Sequence, residues 1–133
     1  TALFGCSDVV IDGPTYLDIS GWHVVLSNCD NVTVRNVKVV AARATSDGVD
    51  ICNSRDVTVS NCFIRNWDDG VAIQGVEAFG AGAKPVRNIV VENTTIHSDL
   101  GYAQPFSIGF ETFADTIENI TYRNCDIIYC RRL

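Results

Sequence analysis

The chain reads as an all-β protein, a parallel β-helix of about five coils, on three observations. A six-residue segment recurs along the 133 residues, and each copy alternates apolar and polar side chains. Four of the copies end in Asn, and a weaker fifth ends in Gly. No stretch between copies carries the 3.6-residue periodicity of an amphipathic helix. Strands at such spacing, each with one apolar face and no helix to cover it, bury those faces by stacking coil on coil. A hydrophobic content of 47% against 20% charged residues fits a well-buried chain of this kind and excludes a disordered one.

The copies follow in order. The weakest is Asp8-Val9-Val10-Ile11-Asp12-Gly13. It is followed by Asn31-Val32-Thr33-Val34-Arg35-Asn36, Asp56-Val57-Thr58-Val59-Ser60-Asn61, Asn88-Ile89-Val90-Val91-Glu92-Asn93 and Asn119-Ile120-Thr121-Tyr122-Arg123-Asn124. Their first residues are 23, 25, 32 and 31 positions apart. A second strand family precedes the first in each coil: Trp22-His23-Val24-Val25-Leu26, Gly48-Val49-Asp50-Ile51, Gly70-Val71-Ala72-Ile73 and Phe106-Ser107-Ile108-Gly109. The two longer spacings come from insertions, the Gly/Ala-rich stretch 77–85 and the stretch 97–105. Loops that leave a rigid solenoid on one side commonly wall its binding face. The whole of 1–133 is expected to be a single β-helix domain. It has no recognisable polar caps and no initiator Met, and is expected to be part of a longer helix that is monomeric at full length.

Asn36, Asn61, Asn93 and Asn124 occupy one position in four copies, where stacked Asn amides are expected to hydrogen-bond along the ladder. Cys62 and Cys125 follow that Asn, with Thr94 in the coil between, and Cys6 and Cys29 both stand two residues before a copy. A Cys6–Cys29 disulfide and free stacked thiols are both open. The six cysteines (Cys52 and Cys130 complete the set) include no Cys-x-x-Cys, so neither zinc nor any other metal or cofactor is expected. Three glycosylation sequons, at Asn31, Asn93 and Asn119, all fall on repeat positions, which favours ladder geometry over modification. The net charge of −6 speaks against nucleic acid or an anionic membrane as partner. No apolar run approaches the roughly 18 residues of a spanning helix.

Two acidic clusters stand in register at the start of the second strand family: Thr45-Ser46-Asp47-Gly48-Val49-Asp50-Ile51 and Trp67-Asp68-Asp69-Gly70-Val71-Ala72-Ile73, with Asp47 and Asp68 21 positions apart. Asp-Gly is also a common turn dipeptide, so a corner role and a chemical role are both open. The chemical role would be glycoside hydrolysis, in which one carboxylic acid protonates the leaving oxygen and a second carboxylate activates water or attacks. Stacked coils crowd carboxylates automatically, and crowding raises the proton affinity of one of them. Nearest-neighbour coils suit retention and a diagonal pair suits inversion, so spacing leaves the stereochemistry open.

The first cluster resembles the Asn-Thr-Asp-Gly-x-Asp motif of polygalacturonase-type pectinases, glycoside hydrolase family 28. Asp68-Asp69-Gly70-Val71-Ala72-Ile73 resembles that family's Asp-Asp-x-x-Ala-Ile at the family's separation, and Phe106-Ser107-Ile108-Gly109 resembles its Leu-Ser-Ile-Gly. The resemblance runs from about Trp22 onward. It implies a right-handed parallel β-helix, inverting hydrolysis of a polysaccharide and a secreted or periplasmic location, with Asp68 as general acid and Asp47 and Asp69 holding the attacking water. It also has departures. The family's His-Gly is Gln104-Pro105 here, and its Arg-x-Lys pair falls near or beyond Leu133, where Arg131 and Arg132 do not match it. A pectin-like substrate and a neutral or differently substituted glycan therefore both remain open.

Gln104, Glu111, Trp67 and Tyr102 are the candidate substrate contacts, the two aromatic rings joining Phe106 either as a sugar-stacking platform or as core. His23 reads as structural or cleft-edge, His97 as a loop histidine and Lys84 as solvated. Two other functions fit the same solenoid: a non-catalytic carbohydrate-binding segment of the adhesin or tailspike kind, and a calcium-dependent polysaccharide lyase.

Overall fold

In a computed structural model covering residues 1–77, 82–102 and 104–130, every regular element among the described residues is a β-strand, and all pairings are parallel. The stretch 78–81 of the Gly/Ala insertion, Arg131 and Arg132 lie outside the described residues, as does the Cys130 side chain. Three sheets of five strands run along the solenoid. The first holds β1 (Ala2–Phe4), β4 (Val24–Ser27), β7 (Val49–Cys52), β10 (Val71–Gln74) and β13 (Phe106–Ile108). The second holds β2 (Ser7–Asp12), β5 (Asp30–Arg35), β8 (Arg55–Ser60), β11 (Val86–Glu92) and β14 (Ile117–Arg123). The third holds β3 (Thr15–Leu17), β6 (Lys38–Val40), β9 (Phe63–Arg65), β12 (Thr95–Ser98) and β15 (Asp126–Cys130). Five coils of three strands each result, a parallel β-helix.

The register of the second sheet is the alignment of the six-residue copies. Val9, Val32, Val57, Ile89 and Ile120 stack rung on rung, as do Ile11, Val34, Val59, Val91 and Tyr122. These side chains point inward and, with Leu26, Ile51, Ile73, Ile64 and Ile96 from the other sheets, form one continuous core. Fully burying each such aliphatic side chain contributes roughly 1.5–3 kcal/mol. A one-residue slip would turn every one of them to solvent, so the alternating pattern specifies the register strongly. The core residues are fully buried in the three middle coils and partly buried in the first and last.

Most of the third sheet, and β1, have no counterpart in the sequence reading. A strand of three residues places a single side chain inward, such as Tyr16, Val39 or Ile64, which is too few for a period of two to register. The first sheet differs from the second in that its three middle strands are covered on both faces. All four residues of β4, β7 and β10 are buried, whereas β5 and β8 alternate with exposed positions. That outer cover is where the site lies.

The repeat-terminal Asn column works chiefly through the backbone. Asn36, Asn61, Asn93 and Asn124 take φ of 57°, 54°, 50° and 51°, the left-handed region Asn tolerates better than most residues. Asn36 also donates to Asp12 Oδ1 at 2.7 Å. The side-chain ladder between coils runs instead through the first residue of each copy: Asn31 to Asp8 (2.6 Å), Asn88 to Asp56 (2.7 Å) and Asn119 to Asn88 (3.0 Å). Among the described residues the amide ladder expected along the terminal Asn column is therefore found at the other end of the segment instead. Cys6 and Cys29 are free thiols, not a disulfide; Cys29 Sγ contacts the Leu3 and Ser27 carbonyls at 3.5 and 3.4 Å. Cys62, Thr94 and Cys125 each donate to the carbonyl two residues back, so thiol and hydroxyl fill one structural role at that turn.

Candidate active site

The first sheet's ladder continues upstream of its strands. His23 N–H donates to the Asp47 carbonyl (3.2 Å), Gly48 to Asp69 (2.8 Å) and Gly70 to Gln104 (2.8 Å). Asp47, Asp69 and Gln104 therefore occupy successive rungs, about 4.8 Å apart. Asp68 is held one residue upstream by its N–H to the Ser46 carbonyl at 3.0 Å. The Asp-Gly steps are not left-handed turns, since neither Gly48 nor Gly70 has a positive φ. Space is what demands glycine there. A Cβ on Gly48 would stand 2.3 Å from the Gly70 carbonyl oxygen, and one on Gly70 would stand 2.6 Å from that of Pro105.

Two buried polar residues without an expected role stiffen this edge. The Asn66 amide donates to the carbonyls of Ser46, Asp68 and Asp69 at 2.9, 2.9 and 2.7 Å, fixing the loop that presents both aspartates. Ser46 Oγ accepts the Trp67 N–H at 3.1 Å. His23, wholly buried, sets its Nδ1 2.5 Å from the Asp47 carbonyl, which fits a neutral ring donating from Nδ1. Burial lowers its proton affinity, in keeping with that tautomer.

Asp47, Asp68, Asp69, Tyr102, Gln104 and Glu111 line one cleft of ≈ 400 Å³, together with Trp22, Thr45, Gln74 and Phe110. Six of the seven expected site residues thus converge. The seventh, Trp67, stands behind the wall: its ring packs edge-on against Tyr102 at 5.2 Å, and a Cβ on Gly101 would lie 2.2 Å from it. Phe106 belongs to the core, tilted on Tyr122 at 4.1 Å, so the three-ring platform is not formed. His97 sits on β12 in the third sheet, edge-on to Tyr129, and not in a loop. Gln74 was findable from strand alternation, since it lies two residues past the outward-facing Ala72. Trp22, Thr45 and Phe110 carry no such signal.

The charges in the cleft are of one sign. Among the described residues that line it there is no Lys, Arg or His. Burial, and then the charge of Asp68, raise the Asp47 carboxyl from its ordinary value to about 7, although the Asp69 N–H at 3.3 Å works the other way. Asp69 is also raised, by burial first, with a hydrogen bond from Ser107 opposing. Asp50, quoted in the first cluster but given no role, faces outward from β7 between Val25 and Ala72, and is fully buried. Its carboxyl is raised well above the ordinary range, by desolvation first and by Asp47 next. No group of His, Cys, Asp and Glu side chains among the described residues is arranged to hold a metal ion.

Comparison with known proteins assigns the chain to a family. The family model described as Glycosyl hydrolases family 28 matches residues 3–131. A probable polygalacturonase of Arabidopsis thaliana is 25% identical over 127 residues, covering 91% of this chain and 25% of the relative. An endo-polygalacturonase of Pectobacterium parmentieri is 31% identical over 102 residues, covering 75% of this chain and 23% of the relative. An exopolygalacturonase of Oenothera organensis is 28% identical over 127 residues, covering 94% and 32%. The chain thus spans about a quarter to a third of these three relatives, and no solved structure gives a significant match. With the family model running nearly end to end over residues 3–131, the chain belongs to glycosyl hydrolase family 28.

Proposed function

We propose that the protein is a glycosidase that cleaves a pectin-type polysaccharide with inversion. The observation that carries this reading is the convergence of Asp47, Asp68 and Asp69 on adjacent rungs of one open cleft. Asp68 acts as general acid. It stands half-buried beside Asp47 and Asp69 and lines the cleft, where it can deliver a proton to the leaving oxygen. Asp47 and Asp69, stacked and held by backbone N–H groups, grip the water that attacks from the opposite side. Tyr102 offers a ring face to a pyranose, with Trp67 supporting it from behind. Gln104 and Glu111 bind sugar hydroxyls; Gln104 donates and accepts but cannot deliver a proton. The substrate lies outside the cell, with the protein secreted or periplasmic and monomeric.

The relatives' names point to galacturonan, whereas the cleft lining described has no cation to meet a uronate carboxylate. That observation favours a second reading of the substrate, a neutral or esterified stretch of the same wall polysaccharide. The test is reducing-end release from polygalacturonate, methyl-esterified pectin and neutral pectic glycans. Turnover that Asp68→Asn abolishes on polysaccharide but spares on an aryl glycoside with a good leaving group supports the acid role. Release of unsaturated ends, or glycan binding with no turnover in the full-length protein, overturns the hydrolase reading in favour of a lyase or a binding segment.

A further inference from the structure

Asp50 is the least expected charge in the molecule. Nothing of it reaches solvent, and it sits on the outer face of β7 with Val25 on the rung below and Ala72 on the rung above. Neither of its carboxyl oxygens meets a donor from the surrounding protein. The groups that face it are the carboxyls of Asp47, Asp69 and Asp68, and no cation is among them. The Cys52 thiol on the same strand makes no hydrogen bond to either Asp50 oxygen, and Glu111, which lines the cleft, is a further acid. An ionised carboxylate in such a place would carry the full cost of a buried, unpaired charge.

We propose that Asp50 is a positioning residue that stays a neutral carboxylic acid and donates its O–H to the Asp47 carboxylate, fixing that group for its work on the attacking water. The arrangement resolves two problems at once. Asp50 avoids ionising where nothing would compensate it, and Asp47 gains a donor that opposes the desolvation and the Asp68 repulsion acting on it. Asp47 then receives hydrogen bonds from two directions, the Asp69 N–H and the Asp50 O–H, which lock the carboxylate plane. The Asp50 proton is held, not transferred: when Asp47 takes a proton from water it does so on its open side, and Asp50 ends the turnover in the state in which it began. The kinetic part of this proposal rests on the hydrolase reading above; the placement of the proton does not.

The test uses the full chain and two variants. Infrared spectra at neutral pH are expected to contain a carboxylic-acid carbonyl stretch that Asp50→Asn lacks. Asp50→Asn still offers an N–H donor to Asp47, so kcat/KM is expected to stay within about threefold of wild type with its acid limb unmoved. Asp50→Leu offers none, and the acid limb is expected to move up by about one pH unit or more, the shift that one lost charge-assisted hydrogen bond produces. If Asp50→Leu fails to fold, the spectrum and the rescue by Asn still decide. Absence of the acid band, or an Asp50→Asn variant as inactive as Asp47→Asn, overturns the proposal, because Asp50 would then be ionised or reacting. An acid band in a chain with no glycosidase activity overturns the hydrolase reading and leaves the proton placement standing.

Discussion

The first and second sheets are built from the same coils at the same rung spacing, yet they treat aspartate in opposite ways. On the second sheet three acids each meet a base on the next coil: Asp12 with Arg35 at 2.9 Å, Asp30 with Arg55 at 2.5 Å and Glu92 with Arg123 at 2.6 Å. Asp12 and Asp30 are held below the ordinary carboxylate range, first by the hydrogen bonds their neighbours donate, from Asn36 and Arg55 respectively. On the first sheet Asp47 and Asp69 stand on adjacent rungs with Asp50 on the same coil as Asp47, and burial raises all three. Complementary rungs are the default of a solenoid, because every outward side chain has a neighbour directly above and below. The edge where that complementarity is abandoned is the edge with the cleft, and the electrostatic cost is carried there as a poised proton affinity.

This contrast can be sharpened from its strongest point downward. Asp68→Asn is expected to lower kcat by roughly 10²–10⁴-fold, the usual worth of a positioned general acid, with little change in Tm. An unchanged kcat would place the acid elsewhere in the cluster.

Asp47→Asn is expected to inactivate and to stabilise. A carboxyl raised in the folded state binds its proton more tightly there than in the unfolded chain, so folding loses stability as the pH climbs from about 4, the ordinary Asp value, to about 7. The neutral amide escapes that loss. Its advantage grows by about 1.4 kcal/mol per pH unit across the window and levels off above it, which chemical denaturation at several pH values reads directly. A variant equally stable or less stable at pH 8 would mean that Asp47 is not strained in the folded protein.

Gly48→Ala drives a methyl group against the Gly70 carbonyl and Ile64, and overpacking of this kind is expected to cost about 3 kcal/mol. An unaltered Tm would show that the rungs at the site have slack. The smallest effect is expected on the second sheet, where Arg35→Gln should leave both Tm and activity unchanged within error in moderate salt, since exposed pairs are well screened.

Much of the fold could be read before any coordinates. Val9, Val32, Val57, Ile89 and Ile120 were aligned by pattern and are stacked in that alignment. The acidic clusters, too, fall on adjacent rungs as their spacing implies. What escaped did so for identifiable reasons. The third sheet is made mainly of strands too short to show a period. Trp67 and Phe106 look like any exposed-type or cleft aromatic in a sequence, and only the packing of Tyr102 and Tyr122 separates one supporting ring from one core ring. Cys6 and Cys29 occupy matching positions without bonding, because matching rungs bring residues close whether or not their sulfurs point at each other.

The sequence by itself determined the coil, its register and the edge on which the carboxylates gather, because those follow from period and alternation, which are local and repeated in every copy. Only the tertiary structure decided which carboxylates carry strain. Asp12 and Asp50 are each one residue past an inward-facing aliphatic, and both point away from the core. One meets Asn36 and Arg35 in solvent; the other meets Asp47 under a covered face. Burial and the identity of the facing group are properties of the neighbouring coil and the loops above it, not of the residue, and they set whether an aspartate is a strut or a proton donor.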